Sequence, residues 1–120
     1  MLNLDTHILV EGLIGGLTKR ELQLVENETV AISDIVLWEI SKLVQLKRVS
    51  INVDGTAFRR FLRQLTVYPI TMEIARQSVK LDFKSDPADE IIAATSLVEK
   101  IPLLTRDRRI LKSRMVPLAI

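Results

Sequence analysis

The sequence predicts an α/β fold with a central, mainly parallel sheet of four to five short strands and helices on both faces. Three observations lead there. Short aliphatic runs alternate with stretches of helical periodicity, the order expected of successive β-α-β units. Hydrophobic residues make up 48% of the chain but aromatics only 4%, so the core is built from Leu, Ile, Val and Ala, as in strands buried on both faces. The length of 120 residues suits one domain over the whole chain, enough to bury roughly two thirds of its unfolded surface.

Met1 to Asp5 reads as a short strand, and HILVEGLIGG as a helix stopped by Gly15 and Gly16. Thr18 has Glu21 at capping-box spacing and opens a second helix, to about Asn27. Thr29 to Ile32 is a β-branched, apolar strand. Ser33 is then the expected N-cap of a helix carrying Ile35, Leu37, Trp38, Ile40, Leu43 and Val44. Trp38, an aromatic on a largely apolar helix, is expected in the core. Asn52 to Gly55 signals a turn. The helix that follows groups Phe58, Phe61, Leu62 and Leu65, with Arg59, Arg60 and Arg63 largely off that face.

Val67 to Ile70 is predicted as an edge strand, because Pro69 cannot donate to a central ladder. Thr71 opens a helix with Met72, Ala75, Val79 and Leu81 facing in. Asp86 is a cap residue and Pro87 suits the first helical position, so a helix rich in small residues runs from Pro87 to about Glu99. Pro102 to Thr105 is a brief strand, Asp107 to Ser113 a short basic helix, and Met115 to Ile120 a closing strand interrupted by Pro117.

Four acids stand where an apolar run ends or a helix begins: Asp5 in LNLDTH, Glu39 in ISDIVLWEI, Asp89 in DPADEIIAATS and Asp107 in PLLTRD. In an open α/β sheet ligands bind beyond the carboxyl ends of the strands, and carboxylates meeting there form a hard-oxygen site suited to Mg²⁺ or Mn²⁺. Asp5 ends one strand and Asp107 lies just past another. Glu39 is six residues beyond Ser33, about 9 Å along a helix, but side chains tilt back toward a helix N-terminus. Each acid also has a plainer reading. Asp89 complements a helix dipole, Asp107 caps a helix, and His7 packs or hydrogen-bonds at the start of its helix. Asp5 does nothing for the strand it ends, and Glu39 is surrounded by apolar residues, where an unpaired charge is expensive.

Composition excludes several classes. The net charge is only +2, so basicity by itself does not indicate nucleic acid, although Arg106, Arg108, Arg109, Lys112 and Arg114 cluster beside Asp107. Without cysteine there is no disulfide, thiolate chemistry or Cys-bound zinc, which fits a cytoplasmic protein. No apolar stretch approaches the ~20 residues of a membrane helix, and the N-terminus carries no leader pattern. With a single His, a nuclease mechanism using paired histidines is excluded. A phosphotransfer enzyme would need a second Asp at position 7, and a receiver-type domain paired acids and a late Lys; neither pattern is present.

At LNLDTHILV, SDIVLWEISKLVQLKRV, SDPADEIIAATSLV and PLLTRDRRI, in that order, the chain resembles PIN-domain ribonucleases, specifically the VapC-type toxins of prokaryotic toxin–antitoxin pairs. The resemblance covers essentially the whole chain. It implies an α/β/α sandwich and an Mg²⁺- or Mn²⁺-dependent endoribonuclease with one or two ions per site. The family's acidic quartet falls on Asp5, Glu39, Asp89 and Asp107, as catalytic residues and metal ligands, with Thr6 and Thr105 supporting them. Arg106, Arg108 and Arg109 would contact RNA phosphate. The resemblance further implies a homodimer and a cognate antitoxin; the alternative is an inactive PIN-like module that holds a basic peptide or RNA. Two departures stand out: Glu90 where relatives have a basic residue, and Lys84–Ser85 where relatives starting DTH often carry His.

Overall fold

A computed structural model describes residues 1–119; Ile120, the last residue of the predicted closing strand, lies outside the described residues. Four parallel strands, β1 (Leu2–Leu4), β2 (Val30–Ser33), β3 (Thr66–Tyr68) and β4 (Leu103–Leu104), form one sheet in the order β3-β2-β1-β4. The helices are α1 (Thr6–Ile14), α2 (Lys19–Glu26), α3 (Ile35–Gln45), α4 (Thr56–Leu62), α5 (Met72–Ser78), α6 (Pro87–Glu99) and α7 (Arg108–Leu111). This is the α/β fold with a parallel sheet flanked by helices that the sequence predicts. No helix among the described residues is long and apolar enough to cross a membrane.

The strand order follows from the connections. The chain steps outward from β1 to β2 to β3, then returns through α5 and α6 to place β4 on the other side of β1. The order therefore reverses at β1, and the crevice beyond the ends of β1 and β4 is the topological switch point. Aliphatic packing holds this arrangement: Leu2 and Leu4 of β1, Ile32 of β2, Val36 and Ile40 of α3, Ile92 of α6 and Leu103 of β4 form one buried cluster. Buried alanines at 88, 93 and 94 let α6 pack closely. Asn3, fully buried in β1, donates from Nδ2 to the Ile92 carbonyl (3.3 Å) and Ser96 Oγ (2.9 Å), tying the central strand to α6.

Several sequence expectations shift. Ser33 ends β2 instead of capping α3; Asp34 holds the cap position without a side-chain cap bond, while Ser33 Oγ accepts from the Ile35 amide at 3.3 Å. Trp38 is 55% exposed, not core. It lies two residues from buried Val36, roughly 200° around the helix, and Val36 with Ile40 makes the buried face. On α5 the inward residue is Ile74, fully buried, whereas Met72 and Val79 face solvent. Leu65 packs against the core from beyond the end of α4. β3 begins at Thr66 and stops at Tyr68, before Pro69. The closing strand reduces to a single parallel bridge, Leu118 to Leu103, because Pro117 offers only its carbonyl to the Leu103 amide.

The corrected face of α5 has a direct test. Ile74→Ala should destabilise the protein by about 2–5 kcal/mol, the usual range for a buried Ile truncated to Ala, in urea unfolding. Val79→Ala should stay within about 0.5 kcal/mol of the parent.

Candidate active site

Local capping places two of the acids, Asp5 and Asp107, at the switch point. Asp5 follows β1 directly and is the N-cap of α1, so one residue closes the strand and opens the helix. The side chain is nearly buried. Oδ1 accepts from the Thr6 amide at 2.8 Å, and Oδ2 accepts from the Thr105 hydroxyl at 2.6 Å. Its main chain is held as well, the Asp5 amide donating to the Leu104 carbonyl at 3.1 Å. The sequence reading found no structural use for Asp5; the helix cap is one, missed because the strand and helix share this residue.

Asp107 sits beside it as the N-cap of α7. Its Oδ1 accepts from the amides of Arg109 (2.8 Å) and Ile110 (3.3 Å), and its own amide donates to Thr105 Oγ1 at 3.0 Å. Thr105 thus joins two of the acids with one hydroxyl. Glu39, half-buried on α3, accepts at Oε1 from the Thr6 hydroxyl. Asp89, in the first turn of α6, accepts at Oδ2 from the Ser85 hydroxyl at 2.9 Å.

Asp5, Glu39 and Asp89 therefore each receive a hydroxyl, from Thr105, Thr6 and Ser85 respectively. Ser85 and Asp86 are the two residues that sequence reasoning missed. The departure at Lys84–Ser85 from the family pattern is the signal in the sequence that points to Ser85. Asp86 was read as a cap, yet its side chain makes no cap bond.

Charge crowding links the site. Burial raises the Glu39 carboxyl above its ordinary value, as do the charges of Asp89, Asp5 and Asp86, against the Thr6 hydrogen bond. Asp89 is likewise raised by burial and by Asp5, Asp107 and Asp86, against the bond from Ser85. Glu90 turns to the segment before the helix, where its Oε2 accepts from the Ser85 amide at 3.3 Å. Among the described residues no three His, Asp or Glu side chains surround a common point closely enough to hold a metal directly. The donor set is nonetheless all hard oxygen, which suits an ion such as Mg²⁺ that keeps several waters between itself and its carboxylates.

The arginines divide. Arg106 is engaged with Glu21 of α2, its Nε donating to Oε2 at 2.8 Å and its Nη2 to Oε1 at 2.6 Å. Arg108 and Arg109 are exposed on α7. His7 accepts the Arg106 amide at Nε2 (2.9 Å), and its Nδ1 lies 3.7 Å from Asp5 Oδ2.

A parallel sheet whose strand order reverses at β1, with Asp5 and Asp107 held just beyond the ends of β1 and β4, belongs to the class of open α/β proteins that bind ligands at such a switch point. Residues 3–114 match the model of the PIN domain, and the chain belongs to that family. No curated protein matches it by sequence. Among solved structures it is similar to a toxin–antitoxin complex from Klebsiella pneumoniae (24% identity, TM-score 0.71, covering 93% of this chain and 91% of that one). It is also similar to VapBC2 from Rickettsia felis bound to a promoter DNA fragment (20%, 0.73, 99% and 98%). DNA-bound VapBC from Salmonella typhimurium shares the fold at 17% identity and a TM-score of 0.75, over 98% of this chain and 96% of that one.

The raised carboxyls make stability depend on pH. Folded Glu39 and Asp89 hold protons to higher pH than in the unfolded chain, where they titrate near 4.5 and 3.8. Their protonated forms therefore favour the fold at low pH, and that contribution is lost as pH rises through the raised folded values. In EDTA, the melting temperature of the parent should fall across this window relative to Glu39→Gln and Asp89→Asn. Parallel pH profiles for parent and variants would show that the two acids are not crowded.

Proposed function

We propose that this PIN-domain protein is an endoribonuclease dependent on Mg²⁺ or Mn²⁺, with one or two ions per site, and the toxin of a toxin–antitoxin pair. The observation that carries this reading is the set of hydroxyl bonds to the acids: Thr105 donates to Asp5 and accepts from the Asp107 amide, Thr6 donates to Glu39, and Ser85 donates to Asp89. Toxin–antitoxin complexes among the structural neighbours support a cognate antitoxin as partner. The same reading makes the protein a cytoplasmic homodimer.

The chain's own residues set up hydrolysis of a phosphodiester. Asp5 is aimed by two donors, the Thr6 amide and the Thr105 hydroxyl, leaving its remaining lone pairs for a ligand. Burial and neighbouring charge raise the Glu39 and Asp89 carboxyls, a bias that a cation bound nearby would oppose. Asp107 completes the set. Thr6, Thr105 and Ser85 orient three of these carboxylates, a task whose loss usually lowers metal affinity or activity about 10–100-fold. A divalent ion held there supplies a stronger nucleophile from water and charge stabilisation at the leaving oxygen. Arg108 and Arg109, exposed beside Asp107, are placed to meet RNA phosphates.

A second reading has one observation in its favour. The lack of a tight three-ligand cluster among the described residues suits an inactive module whose acidic groove holds a basic peptide. Cleavage assays on single-stranded RNA decide between them. The proposed enzyme cuts with Mg²⁺ or Mn²⁺, stops in EDTA, and in Asp5→Asn loses activity by at least about 100-fold, the upper end of what losing a supporting partner does. Full cleavage by Asp5→Asn, or none by the parent with either ion, rejects the nuclease reading.

A further inference from the structure

Outside the acidic site, the side chain of Arg106 makes three hydrogen bonds. Nε and Nη2 form two parallel bonds to the Glu21 carboxylate, and Nη2 also donates to the Gly16 carbonyl at 3.1 Å. The carboxylate it meets is already fixed. Glu21 Oε1 accepts from the Thr18 amide at 2.8 Å while Thr18 Oγ1 accepts from the Glu21 amide at 3.2 Å, the capping box that begins α2. The Glu21 side chain is only 12% exposed, and the guanidinium holds its carboxyl down at about 2.

Exposed ion pairs usually contribute little, because two long side chains must be ordered for a weak attraction. Here one partner is ordered beforehand and the geometry is a two-bond fork, the stronger and more directional form. The main chain at the same residue points the other way. Its amide donates to His7 Nε2, and its neighbours are tied to the acids through the Thr105 hydroxyl and the Asp107 amide. Segment 105–107 is thus gripped from both sides.

We infer that Arg106 is a positioning residue: clamped to Glu21 and to the turn after α1, it fixes the segment from which Thr105 and Asp107 reach the acidic site. The inference rests on the nuclease reading of that site and replaces, for Arg106, the contact with RNA phosphate that the basic cluster beside Asp107 suggests. Two of its donors point at α2, and a phosphate contact would have to compete with the Glu21 carboxylate for them.

The experiment compares the parent with Arg106→Ala, Arg106→Lys, Glu21→Gln and the Ala/Gln double variant, using Mn²⁺ and a fluorescent single-stranded RNA. Gln at position 21 retains a carbonyl for the capping box. Arg106→Ala and Glu21→Gln should each lower kcat by about 10- to 100-fold, the scale of a small misplacement, with KM unchanged. The double variant should be no worse than Arg106→Ala, and Lys, a point charge without the fork, should restore only part. The salt dependence of RNA binding should not change. A raised KM and a shallower salt slope in Arg106→Ala, with Glu21→Gln silent, overturns the inference in favour of a phosphate contact. Amide hydrogen exchange tests it without reference to cleavage. Faster exchange at Arg106 and Asp107 in both variants, with β1 unchanged, upholds the clamp even if the parent proves to be no nuclease; unchanged exchange there overturns it.

Discussion

A carboxylate with 2% exposure stands where β1 ends and α1 begins, and the arrangement around it follows from the need to satisfy it. A buried acid without partners is costly, so Asp5 collects the first amide of its own helix and a hydroxyl from the end of the adjacent strand. The second bond has consequences for topology. It requires β4 to lie beside β1 and end level with it, which the parallel pairing of Leu4 with Leu104 provides. The reversal of strand order at β1 is therefore the feature that brings Thr105 and Asp107 to Asp5, although they are about a hundred residues away in sequence.

Asp5 and Asp107 are both helix caps. An Asp caps with the same short acceptor side chain that would serve a ligand, so at these two positions a capping role does not compete with the proposed site. Glu39 and Asp89 differ. Neither caps a helix, both are half-buried, and their raised carboxyls show crowding that the fold gains nothing from. Residues kept at a cost to the fold are the stronger sign of a site.

Much of this was legible in the sequence where local rules decide. Capping-box spacing placed α2, Pro87 at the first turn placed α6 residue for residue, and the aliphatic runs placed three of the strands. Legibility failed where an element is apolar on more than one side. In α3, Ile35, Val36, Leu37, Trp38 and Ile40 offer no unique face, so only the packed structure reveals that Trp38 looks outward. In α5 a seven-residue helix gives too few turns to fix its phase, and Ile74 was passed over. Partnerships across long separations were invisible too: Glu21 was legible as half of a capping box, but not as the anchor of Arg106, 85 residues away.

The donors around these acids leave their charge uncompensated. Thr105, Thr6 and Ser85 are neutral, as is the Thr6 amide; they orient Asp5, Glu39 and Asp89 without cancelling their charge. His7 Nε2 is engaged as the acceptor of the Arg106 amide. Arg106, one of the two arginines that flank Asp107 in sequence, pairs its charge with Glu21. Ser85 stands where a His in the same place could bring a positive charge toward Asp89. With a hydroxyl instead, geometry is fixed by the protein and neutralisation is left to the ligand. Rigid orientation with uncompensated charge is the condition under which a hard divalent ion gains most from binding, since the cost of ordering its carboxylates has already been met during folding.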